Sequence, residues 1–129
     1  MAIRTVQLAS TPKKFTATIT VGPHTLTADE ADDGGEDLGP APFELLGSAL
    51  AACTSMTLRG YALRKSWPLD RVEVTIEQLK TPEQHTFVRK LTLVGALDTE
   101  QRQRLLEIAG KCPVHKALTG KIEIQTTLV

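Results

Sequence analysis

The chain has 129 residues, enough for one domain spanning 1–129 that buries roughly two thirds of its unfolded surface without disulfides or a structural metal. Fifteen Lys+Arg balance fifteen Asp+Glu, and zero net charge gives no electrostatic case for nucleic acid or an anionic membrane surface as a partner. Two cysteines are too few for a disulfide scaffold or a four-thiolate metal site, which leaves a soluble domain whose two thiols carry the functional question.

The first residues, MAIRTVQLASTPKKF, lack the apolar run of a secretory signal. Their hydrophobics alternate as in a strand. A reducing cytosol is therefore the expected compartment, with both cysteines at rest as free thiols. Ile3, Val6 and Leu8 mark a first strand; Phe15, Ala17, Ile19 and Val21 alternate with Thr16, Thr18 and Thr20 in a second. Val21-Gly22-Pro23-His24 is a turn, and Thr25 to Ala28 return as the second arm of a hairpin. Residues 29–40, DEADDGGEDLGP, read as a solvated, mobile loop. The oxygen-ligand spacing of an EF-hand is absent from it.

Pro42 opens a long helix through PFELLGSALAACTSMTLRGYALRKSW, with Glu44 in the first turn and Arg64 and Lys65 in the last. It is nearly apolar all round until Arg59, so it is expected to be buried on most sides as the centre of the core. Its charge-free stretch, Leu45 to Leu58, is too short to span a membrane. Period two then returns: Val72, Val74 and Ile76 in one strand, Thr86 to Gly95 in the next, with a hairpin loop at Thr81 to His85. Asp98 and Gln101 read as a capping box for a second helix whose apolar face is Leu105, Leu106, Ile108 and Ala109. A short helix starts at Pro113, and Ile122, Ile124, Thr126 and Leu128 mark a closing strand over 121–128. The order predicts an α+β fold, mostly antiparallel sheet packed on helices.

The two thiols differ. Cys53 lies mid-helix among Leu50, Ala51, Ala52, Thr54 and Ser55, where burial raises a thiol's pKa and leaves it inert unless a charged group reaches it. Cys112 precedes Pro113 at a helix N-cap, with Lys111 before it and His115 three residues on, a setting that favours the thiolate. A plain cap explains Cys112 equally well. Cys-Pro-Val-His supplies two metal ligands where a structural zinc needs four, so no metal is expected. No cofactor motif stands out either. If the two sulfurs meet, they make a two-cysteine peroxidase: one is oxidised to a sulfenic acid, the other condenses with it to a disulfide, and an external thiol reduces the pair. His24 and His85 fall in turns and read as solvated. Arg59 and Arg64 read as solvated or ion-paired, and Trp67-Pro68 as an anchor after the long helix.

Three blocks together, Gly39-Pro40-Ala41-Pro42-Phe43-Glu44-Leu45-Leu46, Ala51-Ala52-Cys53-Thr54-Ser55-Met56-Thr57-Leu58 and Lys111-Cys112-Pro113-Val114-His115, resemble the OsmC/Ohr family of thiol-dependent hydroperoxide reductases over about residues 38–119. The wording is nearest a subgroup of small OsmC-like proteins. The resemblance implies an intertwined homodimer with the long helices at its centre, Cys53 as the peroxidatic thiol, Cys112 as the resolving one, and organic hydroperoxides as substrates. It departs from the family in two places. The hairpin Val21-Gly22-Pro23-His24 lacks the arginine that serves the thiol in the family, and the residue after Pro42 is Phe43, so Glu44, the candidate catalytic acid, stands one place late, about 100° round the helix. The alternative readings are a binding module on the same fold, or a thiol redox sensor.

Overall fold

Residues 3–129 are described by a computed structural model, in which the chain divides into two units, one ending at Leu46 and the other running Gly47–Val129. In the first, the threonine-rich alternation forms β1 (Gln7–Ser10), β2 (Ala17–Val21) and β3 (His24–Ala28), an antiparallel meander in the order β1-β2-β3. Val21 pairs with His24, leaving Gly22-Pro23 as a two-residue turn. Gly22 takes φ +56° there, the left-handed backbone a tight hairpin demands at its first central position. Its missing side chain also makes room for the Arg4 guanidinium, which lies over the turn.

Residues 30–40 form no helix or strand, as expected of a loop, but the acid at its start is not solvated. Asp29 is buried, and its carboxylate accepts from Thr16 Oγ1 at 2.8 Å, from the Glu30 N–H at 2.8 Å and from the Leu38 N–H at 3.1 Å. Burial works to raise the Asp29 carboxyl, yet the Glu30 N–H, the Thr16 hydroxyl and further backbone donors outweigh it and hold it below the usual range. One buried carboxylate thus ties both ends of an otherwise acidic loop to the sheet.

Helix α1 (Pro42–Lys65) begins at the proline and carries Arg64 and Lys65 in its last turn, as the sequence predicts. Ser66 then turns left-handed at φ +57°, and the Trp67 N–H reaches back to the Ala62 carbonyl at 2.8 Å, which ends the helix. Trp67 anchors the chain here by packing edge-on to Tyr61. The helix buries a single stripe, Gly47, Leu50, Thr54, Leu58 and Ala62, spaced by three and four residues. Burial on most sides is not what the chain provides by itself, since Met56 and Leu63 are 72% and 68% exposed.

In the second unit, β4 (Arg71–Lys80) and β5 (His85–Val94) form an antiparallel hairpin, with Lys80 opposite His85. Helix α2 (Thr99–Ala109) starts with the predicted capping box: the Asp98 carboxylate accepts from the Gln101 N–H, and the Gln101 side chain accepts from the Asp98 N–H. Helix α3 (Pro113–Thr119) follows. The core of this unit is Leu58, Ala62, Leu69, Leu105, Ile108 and Ala109, with Val72, Leu91 and Leu93 from the hairpin packed against it. At the other end of the buried stripe, a Cβ on Gly47 would meet Gln78 Nε2 at 2.8 Å, so the glycine is what admits the Gln78 amide.

Three expectations need correction. Residues 121–128 form no strand: the alternating Ile122 and Ile124 are exposed, the latter at 84%. A period-two pattern supplies one face of a strand, but a strand also needs a hydrogen-bonded neighbour, and none pairs with it among the described residues. His85 is not a solvated turn residue, because it opens β5, bonds Gln78 Oε1 at 2.8 Å and stacks on Phe87. Arg59 is neither free nor ion-paired: its Nη1 donates to the Leu69 carbonyl.

Candidate functional site

The second unit brings together the two cysteines that sequence placed 59 residues apart. Cys53 sits on α1, one residue before the buried Thr54, and is half-buried. Cys112 joins α2 to α3; Pro113 forces the residue before it into extended backbone, observed as φ −57°, ψ 131°, and the sulfur has no exposed surface. Both are free thiols.

They interact directly and their acidities diverge. Burial pushes the Cys53 thiol up, and the neighbouring Cys112 pushes it further, against a smaller opposing effect of the Val114 N–H and the Thr57 hydroxyl. Burial acts the same way on Cys112 but loses there. The Cys53 S–H, the N–H groups of His115 and Val114 and the Thr54 hydroxyl all favour its charged form and bring it below an ordinary thiol. Cys112 makes no conventional capping hydrogen bond, so those N–H groups act on the charge rather than close a cap. Acidity and access are therefore divided: Cys112 is the more acidic and enclosed, Cys53 the less acidic and partly open.

A third group completes the cluster, and the motif reading did not include it. Arg89, on β5, donates from Nη1 to Thr54 Oγ1 at 3.0 Å and from Nη2 to His115 Nδ1 at 3.1 Å. A guanidinium has only donors, so His115 Nδ1 is the acceptor and the ring proton sits on Nε2. Thr54 Oγ1 in turn donates its one hydroxyl proton to the Leu50 carbonyl at 2.7 Å. No carboxylate ion-pairs with Arg89 among the described residues. Its signal was in the strand: Phe87, Leu91 and Leu93 set the inward phase of β5, and Arg89 falls in that phase. An inward charge on a half-buried strand requires a partner.

Arg89 and His115 also line a cavity of about 260 Å³, walled by Leu50, Phe87 and Leu118 with His85 at one side. Its walls are mainly apolar, with Gln84, Thr86 and Thr119 adding polar groups to those of Arg89, His115 and His85. Glu44, by contrast, lies in the first unit on the opening turn of α1, where its carboxylate accepts from the Ala41 N–H at 2.8 Å, as an acid at a helix N-terminus does. No group of three or more His, Cys, Asp or Glu side chains among the described residues is arranged to hold a metal. No helix among them is long and apolar enough to cross a membrane.

The family model described as OsmC-like protein matches residues 34–127. A search of curated protein sequences gives no match. Among solved structures, the chain is similar to an OsmC-like protein from Mycoplasma pneumoniae, with a TM-score of 0.78 and 18% identity over 99% of this chain and 98% of that one. It is also similar to an organic hydroperoxide resistance protein OsmC from Legionella pneumophila (TM-score 0.69, 20% identity, 93% and 91% covered). A third likeness is to the organic hydroperoxide resistance protein OhrB of Bacillus subtilis (0.60, 23%, 92% and 92%). At these identities the likeness is one of fold, and the α+β architecture read from the sequence is the one these proteins share.

Proposed function

The chain belongs to the OsmC-like family, and on that premise we propose that it is a thiol-dependent peroxidase reducing organic hydroperoxides through Cys53 and Cys112. The observation that carries this reading is that two free thiols, one from α1 and one from the α2–α3 junction, neighbour each other. Access selects Cys53 as the attacker. Its sulfur takes the terminal oxygen of the hydroperoxide, the O–O bond breaks, and the alcohol leaves with the thiol proton. Cys112 then attacks the Cys53 sulfenic acid, expelling hydroxide, and an external thiol reductant returns the disulfide to two thiols. The names of the Legionella and Bacillus proteins, both organic hydroperoxide resistance proteins, agree with that substrate class.

The same proposal includes a homodimer in a reducing cytosol. Its support is the apolar surface a lone chain leaves open, Met56 and Leu63 on one face of α1 and the unpaired alternation at Ile122 and Ile124. Titration of the reduced protein with an organic hydroperoxide such as cumene hydroperoxide is expected to consume two thiols per subunit and yield an intramolecular disulfide, and Cys53→Ser to abolish turnover. Full turnover in Cys53→Ser overturns the assignment. No turnover by the unmodified protein returns the reading to a binding module.

A further inference from the structure

A guanidinium turned inward on a strand calls for a counter-charge, and the second unit gives Arg89 none. Its two bonds go to neutral groups, from Nη1 to Thr54 Oγ1 at 3.0 Å and from Nη2 to His115 Nδ1 at 3.1 Å. The exposed Arg71 and Arg104, by contrast, pair with Glu73 and Glu107. Arg89 is half-buried, where charge is screened less than at the surface. Among the described residues, no Asp or Glu lines the cavity it faces. Two of the five N–H donors of the guanidinium are engaged by Thr54 and His115, and the others lie in the same planar fork.

We propose that this cavity is a binding site for a small monocarboxylate, with the carboxylate on Arg89 and an apolar body against Leu50, Phe87 and Leu118. The site goes beyond the peroxidase reading and uses no step of it. A guanidinium offers a carboxylate two parallel charge-assisted hydrogen bonds, a match of shape as well as charge. Its pose is set before a ligand arrives. Thr54 is held by its own bond to the Leu50 carbonyl at 2.7 Å, and His115 by its place in the first turn of α3. Little side-chain freedom is then left to lose on binding. His115, with its ring proton on Nε2, adds a neutral donor to the lining.

Charge and volume narrow the ligand class. A monoanion balances the single guanidinium, whereas a phosphate dianion leaves a negative charge facing the apolar wall of Leu50, Phe87 and Leu118. An apolar cavity of about 150 Å³ takes the six carbons of benzene. By the same proportion, the cavity of about 260 Å³ takes roughly ten non-hydrogen atoms. Octanoate and phenylacetate are of that size, and each joins one carboxylate to a wholly apolar body.

The test reads binding, so it does not depend on peroxidase turnover. Octanoate is titrated into the reduced protein by isothermal titration calorimetry, alongside octanamide, its uncharged counterpart, and inorganic phosphate. Octanoate is expected to bind once per chain, octanamide about tenfold or more weaker, and phosphate not measurably. In Arg89→Gln the octanoate affinity is expected to fall by about 10- to 100-fold, the loss of a charge-assisted pair. Arg89→Lys is expected to be intermediate, because an ammonium keeps the charge but not the planar fork. Leu118→Trp fills the cavity with Arg89 left in place, is expected to abolish binding, and serves if Arg89→Gln does not fold. The proposal is overturned by no octanoate binding up to millimolar concentration, or by octanamide or phosphate binding as tightly as octanoate. Unchanged affinity in a folded Arg89→Gln, or failing that in Leu118→Trp, overturns it too. If octanoate binds as expected but hydroperoxide is not turned over, the site stands and the peroxidase reading falls; the reverse result removes the site alone.

Discussion

Leu63→Asp tests the proposed dimer most directly. Leu63 is 68% exposed on α1 and lies seven residues, two helical turns, from the 72% exposed Met56, on the same face. Full burial of a leucine is worth about 1.5–3 kcal/mol, so covering the two thirds still open contributes about 1–2 kcal/mol per side chain. A twofold interface uses each residue twice, so the substitution costs roughly 2–4 kcal/mol, and about 30- to 1000-fold in the dimer dissociation constant. Desolvation of two aspartates adds to that. Because the residue is exposed in the single chain, the protomer's own melting is expected to change little. Sedimentation velocity over a concentration series reads the result. A dimer that persists undiminished in Leu63→Asp, or an unmodified protein that is monomeric throughout, refutes the reasoning.

Two further outcomes follow from the buried and capping carboxylates. Glu44→Ala removes the acceptor of the Ala41 N–H and is expected to lower stability by about 0.5–1 kcal/mol, with the rate of hydroperoxide reduction retained; a hundredfold slower reaction at unchanged melting temperature would instead make Glu44 part of the chemistry. Asp29 is held below its ordinary carboxyl value in the fold, so its contribution to stability is complete above the unfolded value of 3.8 and is lost as pH falls through the lower folded value. Acid titration followed by hydrogen exchange is expected to loosen residues 29–38 in that window, and Asp29→Asn to show the loosening already at neutral pH. Equal protection of that loop in Asp29→Asn at pH 7 refutes the anchor.

Much of this architecture was legible because its signals are local. Pro42 fixes a helix start through its own ring, Asp98 and Gln101 satisfy each other's backbone within one turn, and the Thr/Ile alternation of β2 depends only on period two. What sequence could not supply was pairing. Residues 121–128 have a strand's pattern, but whether a strand forms is decided by the neighbour. The apolar run of α1 pointed to burial on most sides, yet Met56 and Leu63 have no cover within the chain. At the site, both thiols were found from their motifs, while Arg89 stayed hidden between Val88 and Lys90 because a basic pair on a strand reads as a wet face. Phase tells the two apart: Lys90 pairs with Glu77 in solvent, and Arg89 turns inward to Thr54 and His115. The missing hairpin arginine had suggested a thiol without a cation, and the guanidinium the fold does turn inward, Arg89, bonds Thr54 and His115.

Gly47 stands at the head of a chain of contacts that never touches sulfur. Its bare Cα admits the Gln78 amide, Gln78 holds the His85 ring, and His85 stacks on Phe87 in the cavity wall. One added methyl at position 47 would displace that amide and, through it, reshape the wall facing an incoming molecule. Arg89, two residues along β5 from Phe87, and its partner His115 line the same cavity. A substitution at position 47 therefore acts, through Gln78 and His85, on the same cavity that the Arg89–His115 pair lines, so what the pocket admits and the polar groups in its wall are set together.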